Sequence, residues 1–203
     1  MENAVHLRVA AALELASRPL IRVGIRVGQV TSWLVLAVIV AVMLTVIMNA
    51  LGMNELLRWE TDVFLFRDAF TINSATELQW YLYGIFVLFA STYALHTNNH
   101  VRVDLFYQRF PKRIQHLVDL VGHLVFLIPF CLLVAYLYWP QVEMSYVSGE
   151  QSNFGGLGER YLIKGALPLA LVFLAVNALG RIFLGLALIL DPRLESKESE
   201  HAG

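Results

Sequence analysis

Cysteine is almost absent from this sequence of 203 residues, in which Cys131 is the one thiol. A single thiol can form neither a disulfide nor a thiolate metal site within one chain. Charge is scarce as well, since charged residues make up 15% of the chain and hydrophobic residues 58%. This composition lies outside the range of ordinary soluble domains and predicts an integral membrane protein.

Runs without formal charge are long enough to cross a bilayer. They cover residues 27–54, 78–101 and 120–142, and a fourth run over 165–190 is interrupted only by Arg181. About 20 helical residues cover the roughly 30 Å of hydrocarbon, and a helix satisfies its own backbone there. We therefore predict an all-α membrane protein with four transmembrane helices and amphipathic interfacial helices.

The whole chain, 1–203, is predicted to form a single membrane domain. Its parts are a cytoplasmic amphipathic lead-in over 1–28, spans at about 29–52, 78–98, 117–140 and 161–184, a cytoplasmic segment over 99–116, and a polar tail over 191–203.

Basic residues are distributed unevenly around these spans. The segments on one side of the predicted membrane hold eleven lysines and arginines, and the two loops on the other side hold four. Because cytoplasmic segments are enriched in such residues, both termini and the segment 99–116 are predicted to be cytoplasmic. The eleven are Arg8, Arg18, Arg22, Arg26, Arg102, Arg109, Lys112, Arg113, Arg181, Arg193 and Lys197.

Two segments between the spans interleave apolar and charged residues. Residues 60–77 combine aromatics with acids, which predicts a short helix in the outer interface. Residues 99–116, here called the cytoplasmic bracket, are predicted to hold cations at headgroup level. A solvated loop without a specific role is the alternative for the bracket.

Ionisable groups are nearly absent from the middle of the predicted spans. A transport path usually needs such groups, or helices broken by glycine and proline. Arg181 lies near the inner interface, where its side chain can reach the headgroups. Pairs of small residues permit close helix contact, either with a partner or within the bundle. These pairs are Gly24/Gly28, Ala37/Ala41 and Ala166/Ala170.

The histidines and the four spans leave two alternative functions open. Four-helix membrane proteins can hold b-type haem between two imidazoles, and His96 and His100 are spaced by four. Of the histidines, however, only His123 is placed well inside a span. A haem-binding membrane anchor of a redox enzyme, or a stand-alone four-helix channel or exporter, are the alternatives. No pattern for hydrolysis, nucleotide binding or nucleic-acid contact is found, so no enzyme is predicted.

Four motifs in order resemble the small membrane subunit, of the DctQ type, of tripartite ATP-independent periplasmic (TRAP) transporters. They are "ELQWYLYGIF" at the start of the second span, "NNHVRVDLFYQRFPKR" at its end, "SGEQS" in the second outer loop, and "YLIKGALP" at the start of the fourth span. The resemblance covers roughly residues 30–190, and its most specific element is "NHVRVD" at 99–104.

This resemblance implies a non-catalytic scaffold in the bacterial inner membrane. In such systems a periplasmic binding protein delivers an organic anion to a large multi-span subunit, which carries the substrate and sodium sites. The small subunit braces the large one, contacts membrane lipids, and offers an outer surface to the binding protein. We thus expect no cofactor on this chain, and sodium on the partner subunit.

Residues expected to shape the structure or contact partners lie at the ends of the spans. In the bracket, Asn99, His100, Arg102 and Asp104 are expected to fix the turn that follows the second span. Asp104 is expected to pair with Arg102 or a neighbouring cation and so keep the angle of the bracket to the membrane; the alternative is that Arg102 merely contacts lipid phosphate. In the outer loop, three glycines within 155–158 make the chain too flexible to form a rigid site unaided. Glu150 and Ser152 are expected either to cap the fourth span or to touch the large subunit, and aromatic and basic residues to anchor the spans. The set is Trp80, Asn99, His100, Arg102, Asp104, Glu150, Ser152, Tyr161, Lys164 and Arg181.

Overall fold

The computed structural model describes residues 2–97, 109–191 and 194. Within these ranges the chain forms six α-helices, one π-helical segment and one hairpin of two strands. In chain order they are α1 (Glu2–Ser32), α2 (Leu34–Ala50), β1 (Glu55–Val63), β2 (Arg67–Thr71), α3 (Ile72–Thr97), α4 (Lys112–Val121), the π-helical segment Gly122–Leu127, α5 (Ile128–Val147) and α6 (Tyr161–Leu190).

Four stretches of helix are long and apolar enough to cross a membrane, which confirms the predicted number. They are Val5–Ala50, Ile72–Thr97, Lys112–Val147 and Tyr161–Leu190. The first joins the predicted lead-in to the first span, because only a tight turn at Trp33 separates α1 from α2. The predicted span boundaries and their orientation stay predictions.

The helix predicted over 60–77 is wrong, since this region belongs to an antiparallel hairpin and the start of α3. Its register pairs Glu55 with Thr71 and Val63 with Arg67. The physical reason is visible just upstream. Uncharged and charged residues alternate from Leu57 to Val63, a period of two that suits a strand, with tryptophan, threonine and valine on one face.

Thr71 ends the second strand and caps α3, which begins at Ile72. Its hydroxyl accepts a hydrogen bond from the backbone nitrogen of Ser74 at 3.1 Å, while the Ser74 hydroxyl accepts one from the backbone nitrogen of Thr71 at 3.3 Å. This reciprocal pair is a capping box, with serine at the position where glutamate is usual. The last residue of the hairpin is therefore also the N-cap of the helix, which fixes where α3 starts.

The described residues fall into two compact units. One draws on residues 1–27, 92–133 and 172–203, and the other on 28–91 and 134–171. In the first unit, α1 buries small residues spaced by seven, Ala10, Ser17 and Gly24, which keeps them near one face of the helix. In the second unit, Gln79 of α3 donates to Thr45 Oγ1 at 2.6 Å and to the Ala41 carbonyl at 3.1 Å, and so fixes α3 against α2.

Candidate functional site

A charged cluster in the second unit holds the loop between α5 and α6 onto the start of α3. We call it the Glu77 clamp, and it comprises Glu77, Glu150, Ser152, Arg160 and Lys164. The capping box places Glu77 in the second turn of α3. One carboxylate oxygen of Glu77 accepts from the Ser152 hydroxyl at 2.5 Å, and the other accepts from the backbone nitrogen of Leu157 at 2.8 Å.

Two cations complete the clamp. Lys164, in the first turn of α6, donates to the Glu150 carboxylate. Arg160 lies 3.7 Å from carboxylate oxygens of both Glu77 and Glu150. Because all four charged side chains are at most about one-third exposed, their pairing is screened less than that of a fully exposed pair. The four charges neutralise one another, so the clamp is an internal structural contact that holds the loop to α3.

The loop backbone fits closely around the Glu77 carboxylate. A Cβ atom at Gly156 would lie 2.5 Å from Glu77 Cδ, so a larger residue here would displace the Glu77 carboxylate. The neighbouring Leu157 is fully buried. This glycine-rich loop is too flexible to form a rigid site by itself. Glu77 on α3 holds it in place.

The same loop is also bonded to the hairpin and to the capping residue. The backbone nitrogen of Gly158 donates to the Leu65 carbonyl at 2.7 Å. Asn73 Nδ2 donates to the Phe154 carbonyl at 2.6 Å, and the Thr71 hydroxyl donates to the Gly155 carbonyl at 3.0 Å. Loop, hairpin and start of α3 therefore form one hydrogen-bonded layer.

The structure brings three of the residues predicted from sequence into this clamp, namely Glu150, Ser152 and Lys164. Ser152 bonds to Glu77, and Glu150 bonds to the first turn of α6 through its side chain. Tyr161 packs edge-to-face on Tyr146, with ring centroids 5.0 Å apart.

The remaining predicted residues lie outside the clamp. Trp80 is 69% exposed on α3, and Arg181 is half-buried on α6. The predicted roles of Asn99, His100, Arg102 and Asp104 fall on residues outside the described ranges.

Sequence reasoning missed Glu77, the central acceptor of the clamp. The available signal was an isolated acid directly before the apolar part of the second span, in "SATELQW". Its partners are more than 70 residues away along the chain, so no local pattern connects them.

A second polar contact, here called the Gly24 joint, fastens three helices of the first unit. Asn177 on α6 donates to the Phe173 carbonyl at 2.8 Å, and its amide oxygen lies 3.1 Å from His96 Nε2 on α3. Because an amide oxygen only accepts, His96 Nε2 carries the proton. A Cβ at Gly24 on α1 would lie 2.6 Å from that nitrogen, so these helices meet where α1 has no side chain.

The clamp should loosen in acid. The hydrogen bond from Lys164, helped by the charge of Arg160, lowers the pKa of Glu150 below the usual glutamate value of 4.5. A carboxylate with a lowered pKa in the folded state contributes stability above the unfolded pKa, and this stability is lost as pH falls through the folded value. We expect cleavage of the loop 148–160 by an acid-active protease to accelerate as pH falls below about 4.5.

Glu150→Gln provides the control for this pH response. The amide cannot titrate, so its loop should be cleaved faster than wild type at neutral pH and should show a smaller change in acid. Equal pH responses of the two proteins would contradict the assignment to Glu150.

A family model supplies the identity that the geometry leaves open. Residues 61–188, well over half of the chain, match the family described as "Tripartite ATP-independent periplasmic transporters, DctQ component". Comparison with curated proteins and with solved structures gives no match. The matched range contains the whole Glu77 clamp, together with α3 to α5 and nearly all of α6. The chain therefore belongs to the DctQ family, and it is the small membrane component of a tripartite transporter rather than an enzyme.

Proposed function

We propose that this small subunit is a non-catalytic scaffold that braces the large transport subunit of a sodium-coupled, binding-protein-dependent uptake system for organic anions. The observation that supports this role most is the use of charge in the Glu77 clamp. Both carboxylates are bonded to groups of the same chain and neutralised by Arg160 and Lys164. Acids used in this way stiffen an outer layer and leave substrate and sodium binding to the partner.

Exposed apolar surface supports the bracing role. In the most apolar window of Val5–Ala50 only 6% of residues are buried within the chain, whereas 44% are buried in that of α6. In a bilayer such faces are covered by lipid tails or by another membrane protein. The exposed faces of α1–α2 can therefore pack against a large multi-span subunit without exposing apolar surface to water.

Location and orientation follow from the same proposal. The chain is placed in the bacterial inner membrane with both termini in the cytoplasm, so that the hairpin and the Glu77 clamp face the periplasm. There the outer layer has a surface for the periplasmic binding protein. The cytoplasmic bracket, with Arg102 and Asp104, lies on the opposite side of the membrane.

Co-purification tests the scaffold role. The tagged chain is extracted from its native membranes in mild detergent, and the proteins that accompany it are identified while a visible spectrum is recorded. We expect a large multi-span subunit in stable amounts, without haem absorbance. Recovery of the chain alone, or with a haem band, would contradict the proposal.

Transport by the reconstituted complex tests whether uptake by the large subunit requires this chain. Proteoliposomes that contain the large subunit and the binding protein should take up substrate with sodium only when this chain is present. Asp104→Ala should weaken assembly if Asp104 sets the angle of the bracket. Normal assembly and transport in that variant would show that Asp104 does not have this role and that the proposal cannot include the bracket.

A further inference from the structure

An arginine face on α1 takes part in neither the Glu77 clamp nor the Gly24 joint. Arg18, Arg22 and Arg26 are spaced by four residues, so at 100° per residue they fall within about 80° of the helix circumference. All three are exposed, and they point away from the buried stripe of Ala10, Ser17 and Gly24. The face is therefore turned outward and carries charge of one sign.

The three arginines differ in whether an acidic side chain lies beside them. Arg18 is paired with Glu14 at 2.7 Å, one turn earlier on the same helix. In the part of the chain that the structure describes, no acid lies within ion-pair distance of Arg22 or Arg26. These two guanidinium groups are the ones available to an external anion.

The position of this face along the chain matches a membrane boundary. Arg26 is the last charged residue before the charge-free run of 27–54. Val23, on the neighbouring side of the helix, is 49% exposed. Cations beside apolar side chains at the end of an apolar run suit the layer where lipid phosphates meet acyl chains.

The packing of α6 brings a further cation to the same depth. A Cβ at Gly180 would lie 2.9 Å from Leu20 Cβ, so α6 touches α1 between Arg18 and Arg22. Arg181 is the next residue on α6. Two helices thus place arginines at one level, as expected for a belt at the headgroups.

We propose that Arg22 and Arg26, with Val23 beside them, form a docking face for anionic phospholipids. The guanidinium groups bind the lipid phosphate through charge-assisted hydrogen bonds, and Val23 packs against the start of the acyl chain. The bilayer fits this face better than an acidic protein does, because the charges stop where the apolar run begins.

Native mass spectrometry of the chain in nanodiscs tests this proposal. The nanodiscs contain phosphatidylcholine and phosphatidylglycerol, and the readout is the enrichment of phosphatidylglycerol among the lipids that stay bound. We expect enrichment for wild type, reduced about fivefold for each arginine replaced in Arg22→Gln, Arg26→Gln and the double variant. Raising the salt to about 1 M should remove most of the preference.

Arg58→Gln is the matched control. Arg58 is similarly exposed but is paired with Glu55 on the hairpin, so its replacement should leave the enrichment unchanged. The melting temperature of the double variant in phosphatidylcholine alone should equal that of wild type. A lower melting temperature of the double variant in phosphatidylcholine would show that the two substitutions disturb helix packing. That result would overturn the proposal.

Two further results would also overturn it. One is enrichment of phosphatidylglycerol that the double variant leaves unchanged. The other is a double variant that keeps its lipid preference but loses a co-purifying membrane protein, which would show that the face binds an acidic protein surface. Neither result depends on uptake activity, so the scaffold role can stand or fall separately.

Discussion

Gly24→Ala is expected to lower the free energy of unfolding by about 1–3 kcal/mol, the usual cost of forcing a methyl group into a packed interior. The new Cβ would overlap the Asn177 amide oxygen and lie 2.6 Å from His96 Nε2. Both atoms belong to the hydrogen bond that joins α3 to α6. Neither side chain can retreat without breaking this bond, so the variant should unfold at a lower temperature in detergent.

Gly185→Ala is the matched control for this substitution. Gly185 lies in α6, and a Cβ there would meet no other atom within 4 Å. Since alanine favours a helix over glycine by roughly 0.5–1 kcal/mol, this variant should be as stable as wild type or slightly more stable. Equal melting temperatures of the Gly24 and Gly185 variants would show that the Gly24 joint is not tightly packed.

Glu77→Ala is expected to release the loop between α5 and α6. The Ser152 hydroxyl and the Leu157 backbone nitrogen would lose their acceptor, and each buried donor left unpaired costs about 1–3 kcal/mol. Arg160 would lose the Glu77 carboxylate and keep that of Glu150. We expect limited proteolysis to cleave this variant within 148–160 at neutral pH and to leave the wild-type loop intact.

Glu77→Gln and Glu55→Ala separate charge and geometry from general surface effects. The glutamine keeps one acceptor oxygen but turns an amide group towards the other donor, so its loop should be cleaved at an intermediate rate. Glu55 makes an exposed ion pair with Arg58, and exposed pairs contribute little, so its replacement should leave cleavage unchanged. A Glu77→Ala loop as resistant as wild type would remove Glu77 from the clamp.

The helical framework could be predicted from sequence because the bilayer leaves few choices. A charge-free run of about 20 residues must be a helix that satisfies its own backbone. The small-residue pairs also carried information, since Gly24, Ala41, Ala166 and Ala170 are all buried. Helix ends were less predictable, because α1 and α6 continue well beyond the length that hydrocarbon requires.

The hairpin and the acceptor of the clamp could not be found in the same way. Outside the hydrocarbon, the chain can satisfy its backbone as helix, strand or loop. The helix was predicted from a segment that starts at residue 60, which leaves out the beginning of the alternation at Leu57. Glu77 was missed because its role depends on Ser152 and Leu157, and only the folded chain brings these residues to it.

The long sequence separation within the Glu77 clamp also orders events during biosynthesis. Glu77 is translated 75 residues before Ser152 and 80 residues before Leu157. In the proposed orientation, Glu77 therefore lies on the periplasmic side without these partners until α5 has been inserted and the following loop has emerged. Arg160 and Lys164 are translated last, so the clamp is complete only when α6 begins to insert. A nascent chain that stalls before this point would leave the Glu77 carboxylate without Ser152 and Leu157.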